Sequence, residues 1–180
     1  MTILSLNECA LSWDSASPEE TLRAGESLGT LLRPGDVVAL VGELGSGKTV
    51  LVRGMAAGLG CAAGDVHSPS FSLINEYESS GSDGAAVGSR FRLAHMDLYR
   101  IQSEDEVPGI GWDHYCHGQH IVAVEWAERA LRWLPRDHLR VTLETLDGDR
   151  RRLQVQSTGP RSGELVRLWM ASGNLSVEAT

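Results

Sequence analysis

The chain has 180 residues, of which 42% are apolar, enough for one real core and too few for two catalytic domains. No apolar run approaches the roughly 20 residues a bilayer-spanning helix needs, and the first residues lack the basic and apolar regions of a secretory signal, so no membrane partner is expected. A formal charge of −8 disfavours independent binding of DNA or RNA, and three widely spaced cysteines, an odd number, fit a reducing cytoplasm.

Ser17-Pro18-Glu19-Glu20 reads as a helix start, and Leu22, Leu28, Leu31 and Leu32 carry the apolar spacing on to Arg33-Pro34-Gly35, which predicts a helix over about 18–32. Val37 to Val41 is a short continuous apolar run bounded by glycines, as expected of a strand buried on both faces. A glycine-rich turn follows, then a helix from Lys48 to Leu59 that stops at Gly60. Residues 71–78 and 90–99 carry β-formers on either side of a stretch rich in Gly and Ser, which predicts a long-tipped hairpin. Ile121 to Val124 is a second buried-strand run, leading through Glu125 and Trp126 into a short helix toward Leu134-Pro135. Residues 138–145 and 150–156 flank Asp147-Gly148, a two-residue hairpin signal. An amphipathic helix over about 163–170 and a polar tail close the chain. The sum is one α/β domain with a central sheet.

Gly42-Glu43-Leu44-Gly45-Ser46-Gly47-Lys48-Thr49 fits the pattern G-x-x-x-x-G-K-[ST] between a predicted buried strand and a predicted helix. Its glycines let backbone N–H groups turn inward around phosphate oxygens, and the helix start adds partial positive charge. The nucleotide-holding segment is Glu43, Leu44, Gly45, Ser46, Gly47, Lys48, Thr49 and Val50. Lys48, the chain's one lysine, can reach the β- and γ-phosphates, and Thr49 offers a hydroxyl to Mg²⁺. A second acidic group is needed at the end of a neighbouring strand. Glu125 follows the run 121–124 and Asp97 ends the strand-like residues 91–96; spacing alone leaves open which one meets the metal. With the only lysine committed, no N-K-x-D guanine reader is possible, so adenine is the expected base. Trp126 either stacks on that base, packs under the loop or belongs to the core. His114, Cys116, His117 and His120 resemble a metal tract, but Gly118 breaks the helix that would align them, and a solvated loop is the preferred reading.

In chain order, GELGSGKT at 42–49, SPSFSLINEY at 68–77, HMDLYR at 95–100 and VEW at 124–126 resemble the bacterial TsaE ATPases, which serve synthesis of threonylcarbamoyladenosine in tRNA. The likeness runs from about Pro18 to Gln156. It implies a P-loop NTPase fold, one domain over 1–180 with a mixed central β-sheet flanked by helices, a core at about 18–157 and a C-terminal helix and tail at 160–180. It implies Mg²⁺-dependent ATP hydrolysis, with Thr49 and Glu125 on the metal and Lys48, Asp97 and Glu125 as the catalytic set. It also implies a switch-like segment at 68–77 and a nucleotide contact from a late arginine, Arg150 or Arg151. The implied partners are the TsaB and TsaD proteins, with tRNA reached through that complex and this chain resetting its cycle. Ser70, Ser72 and Val50 depart from the family's commoner threonines. A small-molecule kinase and a non-hydrolysing nucleotide switch are the rival readings.

Overall fold

A computed structural model describes residues 10–62, 64, 66–79 and 92–172. The described strands form one seven-stranded sheet, and its centre is β2 (Val37–Val41). This strand pairs in parallel with β5 (Ile121–Glu125) on one side and with β6 (Leu139–Thr145) on the other. Beyond β5 come β4 (Arg92–Asp97), parallel, and β3 (Ile74–Glu78), antiparallel. Beyond β6 come β7 (Arg151–Ser157) and β1 (Ala10–Ser15), both antiparallel. The sheet is therefore mixed, parallel where both faces are covered and antiparallel toward its edges.

The continuous apolar runs now have their reason. Val38 and Leu40 of β2 face a large core under α1 (Pro18–Gly29), α2 (Lys48–Gly58) and α4 (Pro160–Ala171). Val37 and Ala39 face a second core built on 3-10 turns at Glu104–Ile110 and Ala127–Ala130 and on the short α3 (Trp112–Cys116). Toward the β1 edge the second face is not covered in this way, and β7 alternates between buried and exposed residues.

The helix ends follow local chemistry. Ser17 caps α1 by accepting from Glu20 N at 3.3 Å, with Pro18 in the first turn as expected. The N-terminus of α4 is capped from outside its own sequence: Asp137 accepts from Arg161 N at 2.7 Å and Ser162 N at 2.9 Å.

Several boundaries differ from the sequence expectation. Helix α1 stops at Gly29, and its expected last turn is a hydrogen-bonded turn through Leu32. Strand β3 starts at Ile74 and not at Phe71, because Leu73 sits at φ 66°, outside strand geometry. The helix expected after Trp126 is a four-residue 3-10 turn, and α4 starts earlier than 163, at Pro160. The β6–β7 hairpin forms around Asp147-Gly148, but Leu146 N bonds Arg150 O, so its loop includes Asp149 as well. Most of the expected tip between β3 and β4 and most of the polar tail lie outside the described residues.

Candidate active site

At the C-terminal end of β2 the chain turns through Gly42, Gly45 and Gly47, all at positive φ. At Gly42 the requirement is also steric: a Cβ there would lie 2.4 Å from Leu143 O. Gly47 precedes α2 in left-handed conformation with no side-chain cap, leaving the first helical amides free for an anion. Lys48 opens α2 and is buried. Its ammonium donates to Gly42 O at 2.6 Å and Glu43 O at 2.9 Å, and it lies 4.2 Å from the centre of a Trp126 ring. Burial pulls its pKa below the ordinary lysine value, opposed by the charges of Glu125, Glu128, Asp97 and Glu43.

The parallel register of β4 and β5 sets Asp97 directly against Glu125, so both strand-end acids point toward the same loop. Their surroundings distinguish them. Both Asp97 oxygens are engaged: Oδ2 accepts from Ser70 Oγ at 2.8 Å and from Ser68 Oγ, and Oδ1 accepts from Tyr99 N at 2.9 Å. Among the described residues Glu125 uses one oxygen: Oε1 accepts from Thr49 Oγ1 at 2.7 Å and lies 2.8 Å from His95 Nε2. Thr49 and Glu125 thus bring a hydroxyl and a carboxylate together beside the loop, a pair of hard oxygen donors that fits Mg²⁺.

These residues line a cleft of about 460 Å³. Leu44 to Thr49 form one wall; Ser68, Ser70 and Phe71 with Asp97, Tyr99, Arg100, Glu125 and Trp126 form the rest. Trp126 holds a left-handed backbone at φ 58° and packs between Lys48 and Tyr99, whose ring centre is 5.0 Å away. Such a conformation costs on the order of 1–3 kcal/mol and persists where its neighbours enforce it. At the rim, Phe71 is 87% and Leu44 77% exposed, with the Arg100 guanidinium 4.4 Å from the Phe71 ring centre.

The cleft therefore gathers Leu44, Gly45, Ser46, Gly47, Lys48, Thr49, Asp97, Glu125 and Trp126. Glu43 takes part through its carbonyl on Lys48, and Val50 is half-buried on α2; neither is among the lining residues. Arg150 is paired with Asp147 and Asp14 at the hairpin turn, away from the cleft. Its neighbour Arg151 instead donates to Gly45 O at 3.3 Å, so of the two arginines Arg151 is the one at the loop. The tract 114–120 is not a wholly solvated loop: Cys116 and His120 are buried. Burial, with Asp113 nearby, pushes the Cys116 thiol up to about 12, which leaves it inert at neutral pH. His95 opens the HMDLYR block, but no role was read for it there; its further signal is a polar residue two positions before Asp97 on the same face of the strand.

The family model described as "Threonylcarbamoyl adenosine biosynthesis protein TsaE" matches residues 15–153. The tRNA threonylcarbamoyladenosine biosynthesis protein TsaE of Bacillus subtilis is 38% identical over 166 residues, covering 92% of this chain and 98% of the relative. The protein of the same name from Treponema pallidum is 36% identical over 137 residues, covering 76% and 93%. A crystal structure of Bacillus subtilis YdiB superposes with a TM-score of 0.73 at 31% identity, covering 92% of this chain and 97% of that one. The match takes in the loop at 42–49, the segment 68–77 and both strand-end acids, and the chain belongs to the TsaE family.

Proposed function

We propose that the chain hydrolyses ATP with Mg²⁺ and that this turnover resets a complex with the TsaB and TsaD proteins during synthesis of threonylcarbamoyladenosine in tRNA. The observation that carries the hydrolytic reading is the 2.7 Å contact of Thr49 with Glu125 beside a loop that lines a cleft. The relatives' name supports the pathway.

The loop amides and the α2 N-terminus would hold the β- and γ-phosphates. Thr49 and Glu125 would hold Mg²⁺, which supplies charge neutralisation at the phosphates. Lys48 would leave the Gly42 and Glu43 carbonyls for phosphate oxygen, since a stronger acceptor replaces two neutral ones. Asp97, fixed by Ser68, Ser70 and Tyr99 N, would orient the attacking water. With the chain's one lysine at the phosphates, no N-K-x-D guanine reader is possible, and adenine is the base. The charge of −8 supports reaching tRNA through partners and not by direct contact. The compartment is the cytoplasm; among the described residues no helix is long and apolar enough to cross a membrane.

Phosphate release from Mg-ATP by the purified chain, alone and with TsaB and TsaD, tests this reading. The expected result is stimulation by the pair and a loss of roughly 10²-fold or more in Lys48→Ala. Complex formation that needs ATP but brings no added phosphate release would replace hydrolysis by a nucleotide switch. A phosphorylated small molecule in place of free phosphate would make the chain a kinase.

A further inference from the structure

His95 sits in the middle of β4 with a fully buried ring. Its Nε2 lies 2.8 Å from Glu125 Oε1, while its buried Nδ1 has no hydrogen-bond partner among the described residues. A buried imidazole is retained at a cost unless its polar atoms are used, and here one contact, to a carboxylate, is the use. The same carboxylate oxygen also accepts from Thr49 Oγ1 at 2.7 Å. Glu125 Oε1 is thus held from two sides, by one residue on α2 and one on β4.

The two donors differ in kind. The Thr49 hydroxyl has two lone pairs beside its one O–H, so it could meet a cation while still donating to Glu125, and its place would then follow the cation. His95 is not among the residues that line the cleft, and Glu125 Oε1 is the contact of its Nε2 among the described residues. It would constrain the Glu125 side chain with or without a cation. We infer that His95 is a positioning residue for the metal site: its Nε2–H donates to Glu125 Oε1 and fixes the carboxylate so that it meets the cation together with Thr49. The inference rests on the proposed role of Glu125 as a metal ligand. Donors behind metal ligands typically contribute 10- to 100-fold in metal affinity.

Two polar replacements separate this role from packing. The His95→Gln amide reaches the place of Nε2, whereas the His95→Asn amide is shorter and reaches only the place of Nδ1. The readout is the affinity of Mn²⁺, followed by its electron paramagnetic resonance, for the chain saturated with a non-hydrolysable ATP analogue. His95→Asn should weaken Mn²⁺ by roughly 10-fold or more, and His95→Gln should recover most of that loss. Binding of the analogue in the presence of EDTA should stay within about twofold in both. In the unsubstituted chain, long-range ¹H–¹⁵N spectra should show Nε2 protonated and Nδ1 bare. Equal losses in the two variants, wild-type Mn²⁺ affinity in both, loss of analogue binding in EDTA, or protonation at Nδ1 alone would each overturn the inference. Glu125→Gln is the control for the reading beneath it: if that change leaves Mn²⁺ affinity intact, Glu125 is no ligand and both fall, whereas its loss beside an unaffected His95→Asn removes only His95's role.

Discussion

Lys48 carries a positive charge into a place that is almost closed to water, where two loop carbonyls and a Trp126 face are its immediate partners. Desolvation is the largest influence on its pKa and lowers it, so the folded chain disfavours the ammonium relative to the unfolded chain. The sign of the linkage is fixed by that direction. The cost to stability is full at pH below the lowered folded value, fades as pH rises between the folded and ordinary lysine values, and is absent above the latter. Lys48→Met keeps the stem and drops the charge. At pH 6 it should therefore melt at or above the temperature of the unsubstituted chain, and the difference should close as pH approaches the ordinary lysine range. On the proposed role of Lys48 at the phosphates, the same variant should lose phosphate release by roughly 10²-fold or more. A lower melting temperature at pH 6 would mean that the two carbonyl contacts outweigh burial, contrary to this account.

Helix α2 delivers Lys48 and Thr49, and its position is set by α1 through four glycines. Gly25 and Gly29 on α1 and Gly54 and Gly58 on α2 are each spaced by four, so each pair lies on one helix face. A Cβ on Gly54 would stand 2.1 Å from Leu22 O, and one on Gly58 2.1 Å from Glu26 O. The backbones touch, and no flexible side chain is there to yield. Gly54→Ala gains about 1 kcal/mol in helix propensity but forces the helices apart, which costs about 1–3 kcal/mol or more. Backbone contact at that distance puts the change at the upper end, so thermal melting should fall by several degrees and ATP affinity should fall with it, as α2 shifts under the loop. A rise in melting temperature would show that propensity wins and the crossing is loose. This crossing was not foreseen, since small residues at helical spacing read equally as weak helix. What the sequence did disclose follows the same physics. Val37 to Val41 and Ile121 to Glu125 were legible because both faces of those strands are covered, and the loop between β2 and α2 because its glycines and lysine admit few other structures. Strand β1 went unread because its partner, β7, lies some 140 positions away and only Leu11, Trp13 and Ser15 turn inward. The turns between β4 and β5 went unread because Pro108, Gly109 and Gly111 break any long period. Asp97 and Glu125 were visible as strand-end acids, but their different surroundings depend on the register and on three hydroxyls no spacing rule connects.

Stability and chemistry are separated along β2 at the scale of the whole molecule. The loop leaves the strand after Val41; at the other end, Asp36 is buried and receives the Arg161 guanidinium on both oxygens, at 2.9 and 2.8 Å. Arg161 also donates to Leu31 O at 3.0 Å and Glu164 at 2.7 Å, so one side chain joins α4, the turn after α1 and the start of the central strand. These partners hold its pKa above the ordinary arginine value, led by the hydrogen bonds to Asp36, and it stays charged at every accessible pH. Arg161→Ala would leave Asp36 buried with Arg33 N as its remaining contact. Breaking a buried pair from one side costs about 3–5 kcal/mol, and because Arg161 is partly exposed the lower part of that range applies. For a chain of this size each kcal/mol lowers melting by about 2–4 °C, so a loss on the order of 10 °C is expected. Asp36→Asn added to Arg161→Ala removes the stranded charge and should recover part of it, which a double-mutant cycle reads as coupling between the two. The five residues of β2, at about 3.3 Å each, keep this clamp some 16 Å from the loop at 42–49. Below its melting temperature, Arg161→Ala should therefore bind ATP and release phosphate like the unsubstituted chain, with only its thermal limit moved. A fall in ATP affinity well below melting would instead show that β2 transmits strain from one end to the other, and the separation along the strand would not hold.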